Sequence, residues 1–498
     1  MGIKKILAKP FSSYEVKKFL KANLNPLEAQ MRVFENLIST AKDTNFGKDH
    51  HFEQIKNHTD FTNAVPVRDY EDLKAYIQLI IDGNQDVLWP GAPKYFAKTS
   101  GTTSGIKYIP ITDVSIKQQV KAARMALQFY IHQTKNTNWV EGKMIFLQGS
   151  PELDKKGAIN AGRLSGIVYH EVPKYLLSNR LPSLQTNIIE DWESKLVKIV
   201  SETVQQDMTL ISGIAPWMIM YFEKLLAQTG KQTLKEIWPN LTLYVHGGVN
   251  FKPYEKTFSK LIGNGVDYIE TYPASEGFIA FQDNYKEEGL LLNTDGGIFY
   301  EFIQADQIFE EKPKRIWLNE VELGINYAII LNTNAGLWGY NIGDTIKFVS
   351  LNPFKIVVTG RIKHFISAFG EHVIVEEVES AITALCAKSG VEVIDFTVAP
   401  QIEVENGLPY HEWFIEFKEM PNDINHWRLQ LDEIMQQKNI YYKDLINGNI
   451  LQPLKISPIK TNGFRDYMES IGKLGGQNKI PRLGNDRKMA EKLSTFLL

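Results

Sequence analysis

The sequence predicts an α/β protein with a large N-terminal domain of sheets and flanking helices, including a small β-barrel-like part, and a smaller α+β C-terminal domain. Three observations carry this. Short apolar strands alternate with amphipathic helical stretches from about residue 95 to 360, the pattern of helices layered on a sheet. From 289 to 358 strand-like segments crowd together without helices between them. Past residue 360 the order changes to helix, two strands, long helix and strand, enough chain for a separate small domain. The predicted units are 1–360 and 361–498.

The elements follow in chain order. The first 85 residues read as helical. Asn25 can cap a helix opening at Pro26, because Leu27, Met31, Phe34, Ile38 and Ala41 recur at spacings of four and three. Asp69 can cap a second helix, which Gly83 ends. KMIFLQ, GIVYHEV, MTLISG, LTLYVHGG and VDYIETY read as strands, and IIEDWESKLVKIVSETV and PWMIMYFEKLL as helices between them. LLLN, GIFYEFI, RIWLN, YAIILN, TIKFVS and FKIVVTG suggest an antiparallel sheet or small barrel beside the first sheet. After TGRIKHFISAFGEH, Ile374, Val378, Ile382 and Leu385 share a helix face. VEVIDFTVAP, HEWFIEF and LKISPI then read as strands, with the helix WRLQLDEIMQQ between the last two.

Composition excludes several classes. Of 498 residues, 43% are hydrophobic and 23% charged, so disordered and fibrous readings fail. Lys and Arg number 55 against 58 Asp and Glu, which lacks the basic surplus of a nucleic-acid binder. The lone Cys386 forbids an internal disulfide or a cysteine-based zinc cluster. The basic start MGIKKILAKPFSSYE lacks the apolar run of a signal peptide, and no stretch is long enough to span a bilayer. A soluble cytoplasmic monomer without a membrane partner is the expectation. Metalloprotease helix, nucleophile elbow, Walker A and dinucleotide fingerprint are all missing.

Three segments carry chemistry. In YFAKTSGTTSGIKYIPIT, the run Ser100, Gly101, Thr102, Thr103, Ser104 and Gly105 lies between two strand-like pieces, followed by Lys107. Small residues let backbone N–H groups converge, and the hydroxyls add donors, so the loop can cradle phosphate oxygens. A flexible linker is the plainer alternative, but linkers are not usually set between apolar strands. In YIETYPASEG an apolar strand ends in Tyr272, a turn and Glu276. Strand ends are where ligands sit in open α/β sheets, so Glu276 could hold Mg²⁺ on a phosphate while Tyr272 stacks on a base. Alone, the segment serves equally well as a turn with a solvated Glu. Asp344 in GYNIGD can accept two hydrogen bonds from a ribose diol, although alone it reads as a turn residue.

Together, TSGTTSGIKYIP, YPASEG and YNIGD resemble, in that order, the phosphate-loop, Tyr-x-x-Ser-Glu-Gly and Tyr-x-x-Gly-Asp motifs of adenylate-forming enzymes, the superfamily of acyl-CoA ligases and luciferases. FTNAVPVRDYEDLKAYI, GIVYHEVPKYLLSNRLPS, HGGVNFKPYE and GRIKHFISAFGEH are similar to the auxin-responsive acyl-acid amido synthetase family, particularly its bacterial members. The resemblance spans about residues 30–482.

It implies an enzyme that activates a carboxylic acid with ATP and Mg²⁺ as an acyl-adenylate, releases pyrophosphate, and transfers the acyl group to an amino acid. Ser100, Thr102 and Thr103, with the backbone of Gly101 and Ser104, would hold the phosphates. Glu276 would bind Mg²⁺ and Asp344 the ribose. Thr271, Tyr272 and Ser275 would flank the nucleotide, with Gly248 and Val249 as the opposite wall of the adenine site. Of the late lysines Lys473 and Lys479, Lys479 precedes Ile-Pro-Arg as the family's catalytic lysine does. Arg361 would stand at a hinge over about 361–366 and reach the ribose. Met125, Phe129, Val168 and Trp217 are candidates for the acyl pocket, against a plain core role. An acyl-CoA ligase of the same superfamily and a catalytically silent nucleotide-binding protein remain as alternatives.

Overall fold

The computed structural model describes the chain except residues 1–2, 100–105, 148, 173–178, 190, 249–250, 252–253, 363–364, 367, 372, 405–406 and 472–479. Among the described residues the dominant feature is a sheet of twelve strands. Its first part is parallel. Strand Lys143–Phe146 has Arg180–Leu181 on one side and Met208–Ser212 on the other, and Leu243–Gly247 and Asp267–Ala274 follow in order. The alternating pattern predicted four of these strands.

These strands are apolar on both faces because both are covered. Met144, Leu210, Leu243 and Ile269 pack toward helix Asp113–Thr134, with its Met125 and Phe129. Ile145, Ile211 and Tyr244 pack the other way, against helices Trp192–Thr203 and Ala215–Thr229. Successive side chains thus feed opposite cores, as the two-residue period of a strand requires.

The sheet then changes direction. Strand Asp267–Ala274 turns back through Ser275 and Glu276 into Gly277–Phe281, its antiparallel neighbour. Leu290–Leu292 pairs with Gly277–Phe281 and with Phe354–Arg361, so it hydrogen-bonds the crowded strands onto the first sheet. Those strands are antiparallel as expected, in the order Phe354–Arg361, Tyr340–Leu351, Asn326–Thr333, Ile298–Gln304, Ile316–Trp317. They continue the sheet where the sequence suggested a body beside it. A smaller four-stranded sheet contains Tyr95–Thr99 paired with Lys107–Ile111.

The helical N-terminus is as read. Asn25 accepts from Glu28 N at 3.4 Å ahead of helix Pro26–Ala41. Asp69 caps Tyr70–Ile81 through a reciprocal pair with Asp72, which satisfies otherwise orphaned N–H groups. One element differs: GIVYHEV, expected as a strand, lies in helix Leu164–Glu171. Its β-branched run suits either state, and packing decides. Ile167 is fully buried, and a Cβ on Gly166 would stand 2.6 Å from Ser150 O, so the helix sits close against that segment.

The C-terminal part is built on a three-stranded sheet with Tyr410–Phe417 in the middle, antiparallel to Val393–Gln401 and parallel to Lys455–Ile459. Helices Val375–Ser389 and Ile424–Lys438 flank it. Its apolar core is continuous with that of helices 192–203 and 215–229 through Ile366, Phe369 and Val373. No described helix is long and apolar enough to cross a membrane.

Candidate active site at the strand ends

The parallel strands finish along one edge, at Phe146, Ser212, Gly247 and Ala274. Gly247 is required there. It pairs with Thr271, and a Cβ would stand 2.1 Å from Thr271 O. The hydroxyl of Thr271 donates to His246 O at 3.0 Å, fastening the two strand ends. Gly248 follows with φ +83°, a left-handed turn that glycine adopts without strain. Glu276 stands half-buried in the next turn, between paired Ala274 and Gly277.

The two carboxylate motifs meet at this edge. Tyr272 donates its hydroxyl to Asp344 Oδ2 at 2.5 Å, and the two residues are only 9% and 5% exposed. Asp344 is held by its own turn. Asn341 Oδ1 accepts from Gly343 N at 2.9 Å, and Gly343 adopts φ +89°. Asp344 pairs across the sheet with Arg361, and Ile362 N donates to Gly343 O at 2.8 Å, so the chain leaves for the C-terminal part beside Asp344.

The strands on either side of residues 100–105 are described and paired. Tyr95–Thr99 and Lys107–Ile111 are antiparallel, with Thr99 opposite Lys107. Ser100, Gly101, Thr102, Thr103 and Ser104 fall outside the described residues, as do Val249, Lys473 and Lys479. The backbone of Arg361 is described, its side chain is not.

The acyl candidates separate. Met125 and Phe129 are buried between helix and sheet, where Phe129 contacts Phe19 and Phe281 at 5.6 Å each. Trp217 stands in the first turn of helix Ala215–Thr229, just past the strand end at Ser212, edge-on to Trp192 at 4.3 Å. Its Nε1 is buried without a hydrogen-bond partner. Val168 is half-buried on helix Leu164–Glu171.

Two residues without an assigned role join this region. His246, directly before Gly247, is 8% exposed and stacks on Phe251 at 4.3 Å, and its Nδ1 has no partner. Burial pushes its imidazole down to about 4, so the ring is neutral at physiological pH. Arg180 lies over the rings of Tyr169 at 4.4 Å and Phe146 at 5.3 Å, with Nη1 buried and unpartnered. Burial lowers its guanidinium to about 10. The sequence offers a hint for His246, a histidine beside two glycines at a strand end. It offers none for Arg180, which forms no ion pair among the described residues.

Among the described residues no cluster of three His, Cys, Asp or Glu could hold a metal alone. Mg²⁺ binds through one or two carboxylates together with substrate phosphates, and needs no such cluster. Glu276 and Asp344 are the candidate-motif carboxylates at this edge.

The mixed α/β sheet, with Tyr272 and Asp344 joined at its strand ends, defines the fold class, and sequence comparison gives the family. Residues 15–187 and 177–267 match the GH3 family N-terminal domain, 291–361 its central domain and 376–488 its C-terminal domain. The chain belongs to the GH3 family. Jasmonoyl–L-amino acid synthetase JAR4 of Nicotiana attenuata is 23% identical over 58% of this chain and 60% of its own length. JAR6, of the same name and organism, is 22% identical over 85% of each chain. The solved acyl acid amido synthetase AtGH3.15, in complex with 2,4-DB, superposes with a TM-score of 0.62 at 17% identity, covering 97% of this chain and 96% of that one. At that identity the likeness establishes the fold.

Proposed function

We propose that this protein is an ATP-dependent ligase that joins a carboxylic acid to an amino acid through an acyl-adenylate. The observation that carries this reading is the Tyr272–Asp344 hydrogen bond, which joins two of the three motifs at the strand ends. Family membership and the names of the relatives support it.

In the first half-reaction a carboxylate oxygen of the acid attacks the α-phosphorus of ATP. The α–β bridging bond breaks, and pyrophosphate leaves. Charge builds on the phosphoryl oxygens, and fixed donors stabilise it. Ser100, Thr102, Thr103 and the backbone of Gly101 and Ser104 take the phosphates, Asp344 the ribose, and Lys479 the developing charge. Tyr272 holds Asp344 in place. Gly248, Val249, Thr271 and Ser275 wall the nucleotide, and Arg361 reaches the ribose side. Glu276 would hold Mg²⁺, which would screen the phosphate oxygens when bound. In the second half-reaction the amino nitrogen attacks the acyl carbon, the bond to AMP breaks, and the nitrogen loses a proton. Val168 and Trp217 line the acyl site, and Arg180 receives a substrate carboxylate. Residues 361–498 move about the segment 361–366 between the two steps.

Half-reactions separate this reading from its rivals. A synthetic acyl-adenylate offered an amino acid or coenzyme A should give the amide, not the thioester, by product mass. Lys479→Ala should reduce adenylation roughly a hundredfold and leave amide formation from the synthetic adenylate within about twofold. Equal losses in both steps would remove Lys479 from its role, and a thioester product would make the protein an acyl-CoA ligase.

A further inference from the structure

The N-terminal helix Ile3–Ala22 carries none of the candidate site residues. One of its faces is core. Ser12 donates to Gln128 Oε1 at 2.5 Å, Val16 is fully buried, and Phe19 meets Phe129 and Phe281 edge-on. These residues recur at spacings of four and three and so form one stripe. A second stripe with the same spacing, Leu7, Phe11 and Tyr14, faces solvent. Its members are 59%, 45% and 62% exposed, and Ile6 beside them is 57% exposed.

Contiguous apolar side chains on the outer face of a helix already buried on its inner face mark an interaction surface. Its charge identifies the partner. Residues 1–24 hold six lysines and one glutamate, a net +5, while the remaining 474 residues carry −8. Lys4, Lys9, Lys17, Lys18 and Lys21 are exposed. Among the described residues none of these five forms an ion pair, and Lys5 alone reaches a carboxylate, Glu141, at 3.9 Å. Lys4 borders the apolar stripe by helical spacing, and Lys17, Lys18 and Lys21 follow it as a basic stretch.

We propose that this face docks the protein on an anionic lipid surface, with Ile6, Leu7, Phe11 and Tyr14 at the headgroup–acyl boundary and the lysines on lipid phosphates. Interfacial helices combine these features, an apolar stripe bordered by lysine. A second copy is a poor occupant, since it would set +5 against +5. A nucleic acid would use the lysines and leave the apolar stripe in water. The contact is peripheral and departs from the sequence expectation of no membrane partner. It stands independently of the proposed ligase activity.

The test is co-sedimentation of the full-length protein with phosphatidylcholine vesicles, with and without phosphatidylglycerol. Binding should require phosphatidylglycerol and fall with added salt. The double variant Leu7→Gln, Phe11→Gln and the triple variant Lys17→Glu, Lys18→Glu, Lys21→Glu should each weaken it at least about tenfold, with unchanged thermal melting. Failure to bind phosphatidylglycerol vesicles at low salt would overturn the proposal. So would binding that survives the apolar double variant, which is adsorption to any polyanion. A concentration-dependent dimer abolished by that double variant would assign the face to a second copy instead.

Discussion

Two buried polar regions of this molecule are built on opposite plans. Around Glu301, on strand Ile298–Gln304, every acceptor is filled. Oε1 takes His58 Nε2 at 2.8 Å and Arg315 Nε at 3.1 Å, and Oε2 takes Arg315 Nη2 at 2.5 Å and Asn332 Nδ2 at 2.8 Å. Burial alone would raise this carboxyl, but the Arg315 charge and the His58 hydrogen bond outweigh it and hold it at about 2. Along the strand-end region, His246 Nδ1, Trp217 Nε1 and Arg180 Nη1 are buried with no partner among the described residues. A satisfied network rigidifies a scaffold, whereas buried polar groups left over beside a candidate site can receive a ligand. The first cluster ties the N-terminal helices to the sheet, and the second is where the chemistry is proposed to occur.

The comparison breaks most visibly at Glu276. Glu276→Ala should cut acid-dependent exchange of pyrophosphate into ATP by roughly a thousandfold while the melting temperature stays within a degree or so. Retained exchange would place the metal elsewhere. Glu301→Gln should do the reverse. Unpairing Arg315 costs about 3 kcal/mol of stability by denaturant titration, and the KM for ATP of the folded enzyme should not move.

The two regions should also respond to acid differently. His246 is held at about 4 against an ordinary 6.5, so the unfolded chain binds the extra proton first. Its contribution, up to about 3 kcal/mol, is present above pH 6.5 and lost as pH falls toward 4. Glu301, held at about 2 against 4.5, contributes above pH 4.5 and loses that contribution only as pH falls toward 2. Stability profiles of His246→Asn should therefore flatten between about pH 6.5 and 4, and those of Glu301→Gln below that range. The smallest effect belongs to Tyr272→Phe. Loss of the hydroxyl that holds Asp344 should raise the KM for ATP about tenfold and cost about 1–2 kcal/mol of stability. An unchanged KM would make that hydrogen bond architectural.

Much of this was legible in the sequence because strand alternation and capping are local. Asn25, Asp69 and the apolar runs at 208–212 and 243–247 mark their own elements. Helix Leu164–Glu171 was not, because Gly166 and Ile167 are set by contacts with distant chain. The joining of the two halves of the sheet through Leu290–Leu292 depends on a three-residue strand with no periodicity to read. At the site, Tyr272 and Asp344 were recognised separately, each in its own motif. Their hydrogen bond spans 72 residues and had no local signature. Arg180 and His246 carry no role assigned by a sequence motif, since what distinguishes them is a partner missing among the described residues.

The central claim is that the strand-end site makes an acyl-adenylate and hands it to an amine. A panel of carboxylic acids crossed with amino acids, assayed for pyrophosphate and AMP and confirmed by product mass, tests it most directly. The account predicts pyrophosphate and AMP in equal amounts together with an N-acyl amino acid. Release of ADP and phosphate, or no pyrophosphate with any acid in a broad panel, would contradict it.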